Sequence, residues 1–179
     1  MEGQNVYEYV VSPAKQPSWR IKRILAILGY VAYALAIFTF GAISKFMIYM
    51  LALVPLSTWI LVYFTWPYVA VEYEYSFVSG TMTLTKILGG RKRKKVLELR
   101  IKDLHTIAPY DGEYIKLAEE FHPERSYDFV SSMQSPDLYF ALFETADGRR
   151  GIIYFEATKP ALKILRYYNT ETVMADVRY

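Results

Sequence analysis

Five consecutive basic residues, Arg91, Lys92, Arg93, Lys94 and Lys95, are the densest chemistry in the chain. Such a run attracts anions, above all an anionic lipid surface. In an extended strand alternate side chains point to opposite faces, so about half of the five can meet one surface. His105 and His122 are the only histidines, and His122 lies near Glu119, Glu120 and Glu124. Their spacing matches no metal-ligand pattern, which leaves surface loop charges as the expectation. Glu72 and Glu74 share a strand face. A carboxylate pair suits acid–base work, but cross-strand pairing with Lys or Arg is its more ordinary use. Tyr110, Tyr114, Tyr127, Tyr139 and Tyr154 line a ligand groove or, more plainly, pack the core and its rim. There is no HExxH and no GxSxG, and Gly89-Gly90 is followed by a strand rather than by a helix that could bind phosphate. The chain has no Cys, which removes disulfides, thiol catalysis and Cys-based zinc sites. No catalytic residue, metal site or cofactor is expected. A formal net charge of +3 is too mild for a general nucleic-acid binder, and no reading motif accompanies it.

The stretch that must position this chemistry is 24–66. It contains no Asp, Glu, Arg or His, and one Lys, Lys45, between two apolar runs. As one helix it would be roughly 65 Å long, twice the ~30 Å of a bilayer core. Gly41-Ala42-Ile43-Ser44-Lys45 supplies a break, because Gly and Ser weaken a helix and Lys45 would cost about 2.5–3.5 kcal/mol at a bilayer centre. The expectation is a transmembrane hairpin with spans over 24–40 and 46–66, Pro55 kinking the second. Ala26, Gly29, Ala32 and Ala36 form a small-residue stripe on the first span. It permits close helix packing, against the chain's own second span or against another copy. Lys15, Arg20, Lys22 and Arg23 flank one end, and Lys86 with the five-residue run flanks the other. The turn has only Lys45, so both termini are expected in the cytosol.

After Pro67 the hydrophobic period changes from helical to two. Val69, Val71, Tyr73, Tyr75 and Phe77 alternate with Ala70, Glu72, Glu74 and Ser76, a half-buried strand. Turns at Ser79-Gly80 and Gly89-Gly90 separate return strands over 81–87 and 91–102. The segment 103–109 is ambiguous, and 114–121 is at best a short helix. A strand is possible at 127–131 and clear at 138–145 and 150–156, the last two joined by Ala146-Asp147-Gly148. Thr158 reads as an N-cap with Pro160 in the first turn, opening a helix over 159–168 that Asn169 stops. A tail follows, with room for a strand over 173–177. The lead before residue 20 reads as a short helix or strand docked on the rest, since Pro13 and Pro17 exclude a long helix there.

The hairpin running directly into Val69–Phe77, then Gly80, Leu84, residues 91–95, Ile101 and the helix after Phe155, resembles the bacterial pleckstrin-homology-like (PH-like) membrane proteins. More narrowly, it is similar to a two-span family of Gram-positive bacteria. The resemblance implies a fold and a location but no activity. It gives an α+β membrane protein: a cytosolic N-terminal segment over 1–23, the transmembrane hairpin over 24–66, and a cytosolic PH-like domain over 67–179. That domain would be an antiparallel sheet or barrel of about six or seven strands with a C-terminal helix closing one end. Strand length then carries Gly89-Gly90 back toward the bilayer, since nine residues extend roughly 30 Å. The basic run would meet the anionic inner leaflet, or else serve as a solvated charge run protecting a sheet edge. A membrane-tethered binding or scaffolding module follows, with anionic lipids and an unidentified protein as partners. The alternative is an accessory subunit of a membrane complex that associates through the hairpin.

Overall fold

The computed structural model describes residues 6–13, 16–145 and 147–174. Lys15, Ala146 and the end of the tail from 175 lie outside them.

After a short N-terminal strand come two long antiparallel helices, α1 (Pro17–Ile43) and α2 (Met47–Thr65). Pro17 stands in the first turn of α1, where its fixed φ suits a helix and its missing N–H would have had no partner. The helix therefore starts seven residues before position 24, the start that hydropathy alone suggests. The break also falls later than Gly41. Residues 41–43 are helical, and the turn is made at Ser44, Lys45 (φ 62°) and Phe46. Gly41 acts by closeness instead of by breaking: a Cβ there would lie 2.2 Å from Met50 Cγ. Farther along, the Tyr30 and Thr65 hydroxyls bond across the pair at 2.6 Å. Both helices are long and apolar enough to cross a membrane. Pro55 lies inside α2, which continues through it.

Among the described residues there are eight strands, seven of them after the hairpin as expected for 67–179, and they form two four-stranded sheets. β1 (Tyr7–Val11), β2 (Val71–Val78), β3 (Thr81–Leu88) and β4 (Lys92–Arg100) stand side by side in that order, all antiparallel. The second sheet runs β5-β7-β8-β6, from β5 (Leu104–Pro109), β6 (Arg125–Phe129), β7 (Leu138–Glu144) and β8 (Arg150–Glu156). The strand beyond the expected count is β1, which lies before the hairpin yet pairs with β2 after it, Val11 opposite Tyr73. The ambiguous 103–109 segment is β5. The sheet is also not wholly antiparallel: β6 runs parallel to β8, because β7 and its hairpin intervene and leave β6 on the far side of β8. In the tail, Val173 makes a single parallel bridge to Ile107.

The first sheet is apolar on one face. Tyr75, Phe77, Met82 and Leu84 point inward, while Glu72, Ser76, Thr83 and Thr85 point out. The second sheet is buried on both faces, which explains why Leu138–Glu144 and Arg150–Glu156 read as nearly continuous apolar runs. Its inner face (Ala141, Phe143, Ile153, Phe155) joins the core, and its outer face (Phe140, Leu142, Ile152) is covered by α3 (Tyr114–Glu120). Gly151 is required opposite Phe143, whose ring would lie 2.2 Å from an added Cβ. α4 (Lys159–Tyr168) seats Ala161, Leu162 and Leu165 in the core. Its Thr158 cap also bonds the Tyr7 hydroxyl of β1 at 2.7 Å. At its other end the Asn169 amide donates to the carbonyls of Ile101 and Leu104, both at 2.9 Å, in the connection between the sheets. Burial pushes the Tyr9 and Tyr75 hydroxyls far above the ordinary tyrosine range. The neighbouring Tyr75 adds to the shift at Tyr9, and a bond from the Glu156 N–H opposes it at Tyr75.

Candidate functional site

The basic run sits where the sheet meets the foot of the hairpin. A single turn of 3₁₀ helix, Trp66–Tyr68, ends α2 and leads into β2. The β3–β4 turn folds against that exit: the Gly89 N–H donates to the Ala70 carbonyl at 2.6 Å. Gly89 (φ +61°) must be glycine here twice over, since a Cβ would also come within 3.0 Å of the Pro67 Cα. From the other helix, Arg23 Nε donates to the neighbouring Val69 carbonyl at 3.1 Å. The linker is thus held from both sides. Arg91, just past the turn, lies over the ring of Tyr63 in the last turns of α2, 4.8 Å from its centre. Trp59, Val62, Trp66 and Pro67 complete a hollow of about 80 Å³ beside it.

Strand register divides the remaining basic residues. β4 carries a bulge at Val96, because Leu84 faces Leu97 while Thr85 faces Lys95. The bulge places Lys95 and Glu98 next to each other on the outer face, where they form an ion pair. Arg93, on the same face, reaches Glu74 at 3.3 Å. Glu74 is only 8% exposed at its side chain, and its other oxygen has no hydrogen-bond partner among the described residues. Outward basic residues are therefore matched by carboxylates. Lys92 and Lys94 point to the opposite face, across from Leu88 and Lys86 respectively. Neither makes an ion pair among the described residues. Lys86 lies over the Tyr73 ring at 5.9 Å. Three ammonium groups from two adjacent strands thus share one face without a carboxylate partner, beside Arg91. Such an arrangement is suited to hold an anion.

The model of a family described as "Bacterial PH-like domain (DUF6106)" matches residues 4–175. The chain belongs to this family. No curated protein and no solved structure matches it. The bacterial PH-like match runs through β1, the hairpin and both sheets without interruption.

The other chemistry of this PH-like chain is dispersed. His105 lies 3.9 Å from Glu144, both on the surface, and His122 follows α3 at φ 49°. No group of three or more His, Asp or Glu among the described residues is placed to hold a metal ion. Glu72 and Glu74 do share a face, but Glu74 is engaged by Arg93. Tyr110, Tyr114 and Tyr154 pack around the cluster under α3, and Tyr127 and Tyr139 pack against the main core. Burial, then Tyr110, pushes the Tyr154 hydroxyl up to about 12. At the far end of the first sheet a wider hollow of about 330 Å³ is lined by Ser79, Gly80, Thr81, Arg100, Lys102 and Tyr168. Arg100 there is bonded to Asp103 at 2.7 Å. On α1, Ala26 is half-buried, but Gly29, Ala32 and Ala36 are exposed, and an added Cβ at Gly29 would meet nothing within 4 Å. The face of α1 that meets α2 is built instead through Tyr30 and Gly41. Lys86 enters the sequence reading only as a charge flanking the hairpin, apart from the lipid-contact run. Its signal was present, since a strand following a two-glycine turn must pair back onto its predecessor, but the bulge that fixes which lysines face it is not visible in residue types.

Proposed function

We propose that the chain is a membrane-tethered binding or scaffolding module whose PH-like domain works at the cytosolic face of a cell membrane. The pairing of β1 with β2 carries this reading. Val11 and Tyr73 are cross-strand partners, yet both long helices lie between them in the chain. Both ends of the hairpin must therefore emerge on the side that holds the sheet. Two antiparallel spans satisfy that condition and one span does not. Leu35, Phe40, Ile43, Ile48, Leu56 and Phe64 on the hairpin are all more than half exposed. Each such side chain left in water forgoes roughly 1.5–3 kcal/mol of burial, which acyl chains would supply. Arg20, Lys22 and Arg23 stand near the domain end and Lys45 at the turn, a charge bias that favours a cytosolic domain. The bordering strands β1 and β4 offer main-chain edges on which a peptide partner could add a strand.

The absence of cysteine makes a clean test. Single-cysteine chains Lys45→Cys and Asp147→Cys are labelled in bacterial cells with an impermeant maleimide. The expected result is labelling of the first in intact cells and of the second only after permeabilisation, with the chain retained in membranes through an alkaline carbonate wash. Release into the wash, or the reverse labelling pattern, refutes the reading. A second reading, association with partner helices through the hairpin, is favoured by the outward placement of Gly29, Ala32 and Ala36. It predicts that Gly29→Leu with Ala32→Leu abolishes helix-borne crosslinks while the domain stays folded.

A further inference from the structure

We propose that Lys86, Lys92 and Lys94, with Arg91 beside them, form a seat for the phosphate of an anionic phospholipid headgroup. The proposal deepens the membrane reading and rests on it for the source of the phosphate. Residues directly opposite on antiparallel strands bring their Cβ atoms within about 4.5–5.5 Å, and like charges so placed repel. Lys86 and Lys94 are such a pair, and Lys92 lies two residues along on the same face. The sheet does not lack acids to relieve this repulsion, but they stand on the other face: Glu74 of β2 takes Arg93 and Glu98 of β4 takes Lys95. Asp128 on β6 is close enough to act on the Tyr73 hydroxyl, yet forms no ion pair with the three lysines. A bound anion is the missing counter-charge.

Position selects the lipid. Lys92 is two residues past Gly90, and the Gly89-Gly90 turn rests on Pro67 and Ala70 at the foot of α2. Lys94 and Lys86 are one repeat farther, about 7 Å at the rise of a strand. Arg91 over Tyr63, with Trp59 and Trp66 adjoining, marks the level where a headgroup meets aromatic side chains. The far hollow at Arg100 and Lys102 lies a full strand length away and would not meet the same leaflet.

The full chain in neutral detergent is titrated with phosphatidylglycerol in mixed micelles, with phosphatidylcholine as filler, and thermal unfolding is followed. Phosphatidylglycerol should raise the midpoint saturably. Each lysine changed to Gln should raise the half-saturating mole fraction about fivefold, and Lys86→Gln/Lys92→Gln/Lys94→Gln together on the order of a hundredfold. Arg93→Gln/Lys95→Gln, on the outer face, should leave that fraction unchanged. Should the triple variant not fold, Lys94→Gln on the border strand reads the single-site change. Equal loss from the outer pair would mean diffuse charge, and no saturable shift in the wild type would mean no seat; either overturns the proposal. An equal shift with inorganic phosphate overturns the lipid source. Release by carbonate overturns the membrane reading separately, whatever the titration shows.

Discussion

The contact of the β3–β4 turn with the foot of α2 can be isolated by comparing two adjacent glycines. Gly89 and Gly90 both have positive φ, +61° and +67°. Alanine at either position therefore meets the left-handed penalty, about 1–2 kcal/mol. Only at Gly89 does the new Cβ also strike something, the Pro67 Cα at 3.0 Å and its ring at 3.1 and 3.2 Å; at Gly90 nothing lies within 4 Å. Crowding of that kind adds about 1–3 kcal/mol. A Gly89 N–H displaced from the Ala70 carbonyl adds to the difference. For a chain of this size 1 kcal/mol is worth roughly 2–4 °C in Tm. Gly90→Ala should lower the unfolding midpoint of the full chain in detergent by roughly 2–8 °C, and Gly89→Ala by a further 2–12 °C by the same conversion. The measurement is circular dichroism on heating, with tryptophan fluorescence recording Trp59 and Trp66 near the contact. If the two variants melt together, the turn does not bear on Pro67 and the sheet is not fixed to the hairpin in this way.

Gly151→Ala should be strongly destabilising, since its Cβ would enter the Phe143 ring at 2.2 Å. Denaturant titration should show recovery when Phe143→Leu is added, and a purely additive pair would remove the steric explanation. Asn169→Leu leaves the Ile101 and Leu104 carbonyls without their side-chain donor and should cost about 1–3 kcal/mol; an unchanged midpoint in the same titration would show that α4 needs no such tie. The raised tyrosines set an alkaline limit. Tyr9 and Tyr75 stay protonated in the fold above the ordinary tyrosine value of about 10, while the unfolded chain releases those protons there. Their contribution is thus complete below about pH 10 and is lost as pH rises through the folded values, by about 1.4 kcal/mol per pH unit for each tyrosine still protonated. Urea titrations from pH 8 to 11 should show the decline starting near pH 10, and a smaller slope in Tyr9→Phe; a decline that begins near pH 8 would contradict this.

Elements whose stabilisation is local were legible in the residues. The hairpin follows from two uncharged apolar runs, β2 from the alternation Val71 to Phe77, and α4 from Thr158, Pro160 and the spacing of Ala161, Leu162 and Leu165. Elements decided by distant partners were not. Tyr7 to Val11 alternates like a strand, but its mate β2 lies across the whole hairpin, beyond any local pattern. The parallel placement of β6 depends on where β7 and β8 go. Gly41 looks like a helix breaker until Met50 is placed against it. The small-residue stripe left contact with α2 or with another copy open; Tyr30 and Gly41 face α2, while Gly29, Ala32 and Ala36 are exposed. At the site, the basic run was plain, yet alternation alone could not separate its members. One extra residue at Val96 hands Lys95 to Glu98, and a buried Glu74 claims Arg93.

The insertion of the hairpin between neighbouring strands has a consequence for how the protein is made. A ribosome releases β1 about sixty residues before β2, so the earliest strand waits without its mate while the whole hairpin is made. In the membrane-tethered form proposed above, a single crossing would leave the two strands in different compartments and the first sheet without its border. Completion of that sheet thus depends on both ends of the hairpin reaching the same side, and a chain that failed in this would carry an open strand edge on β2.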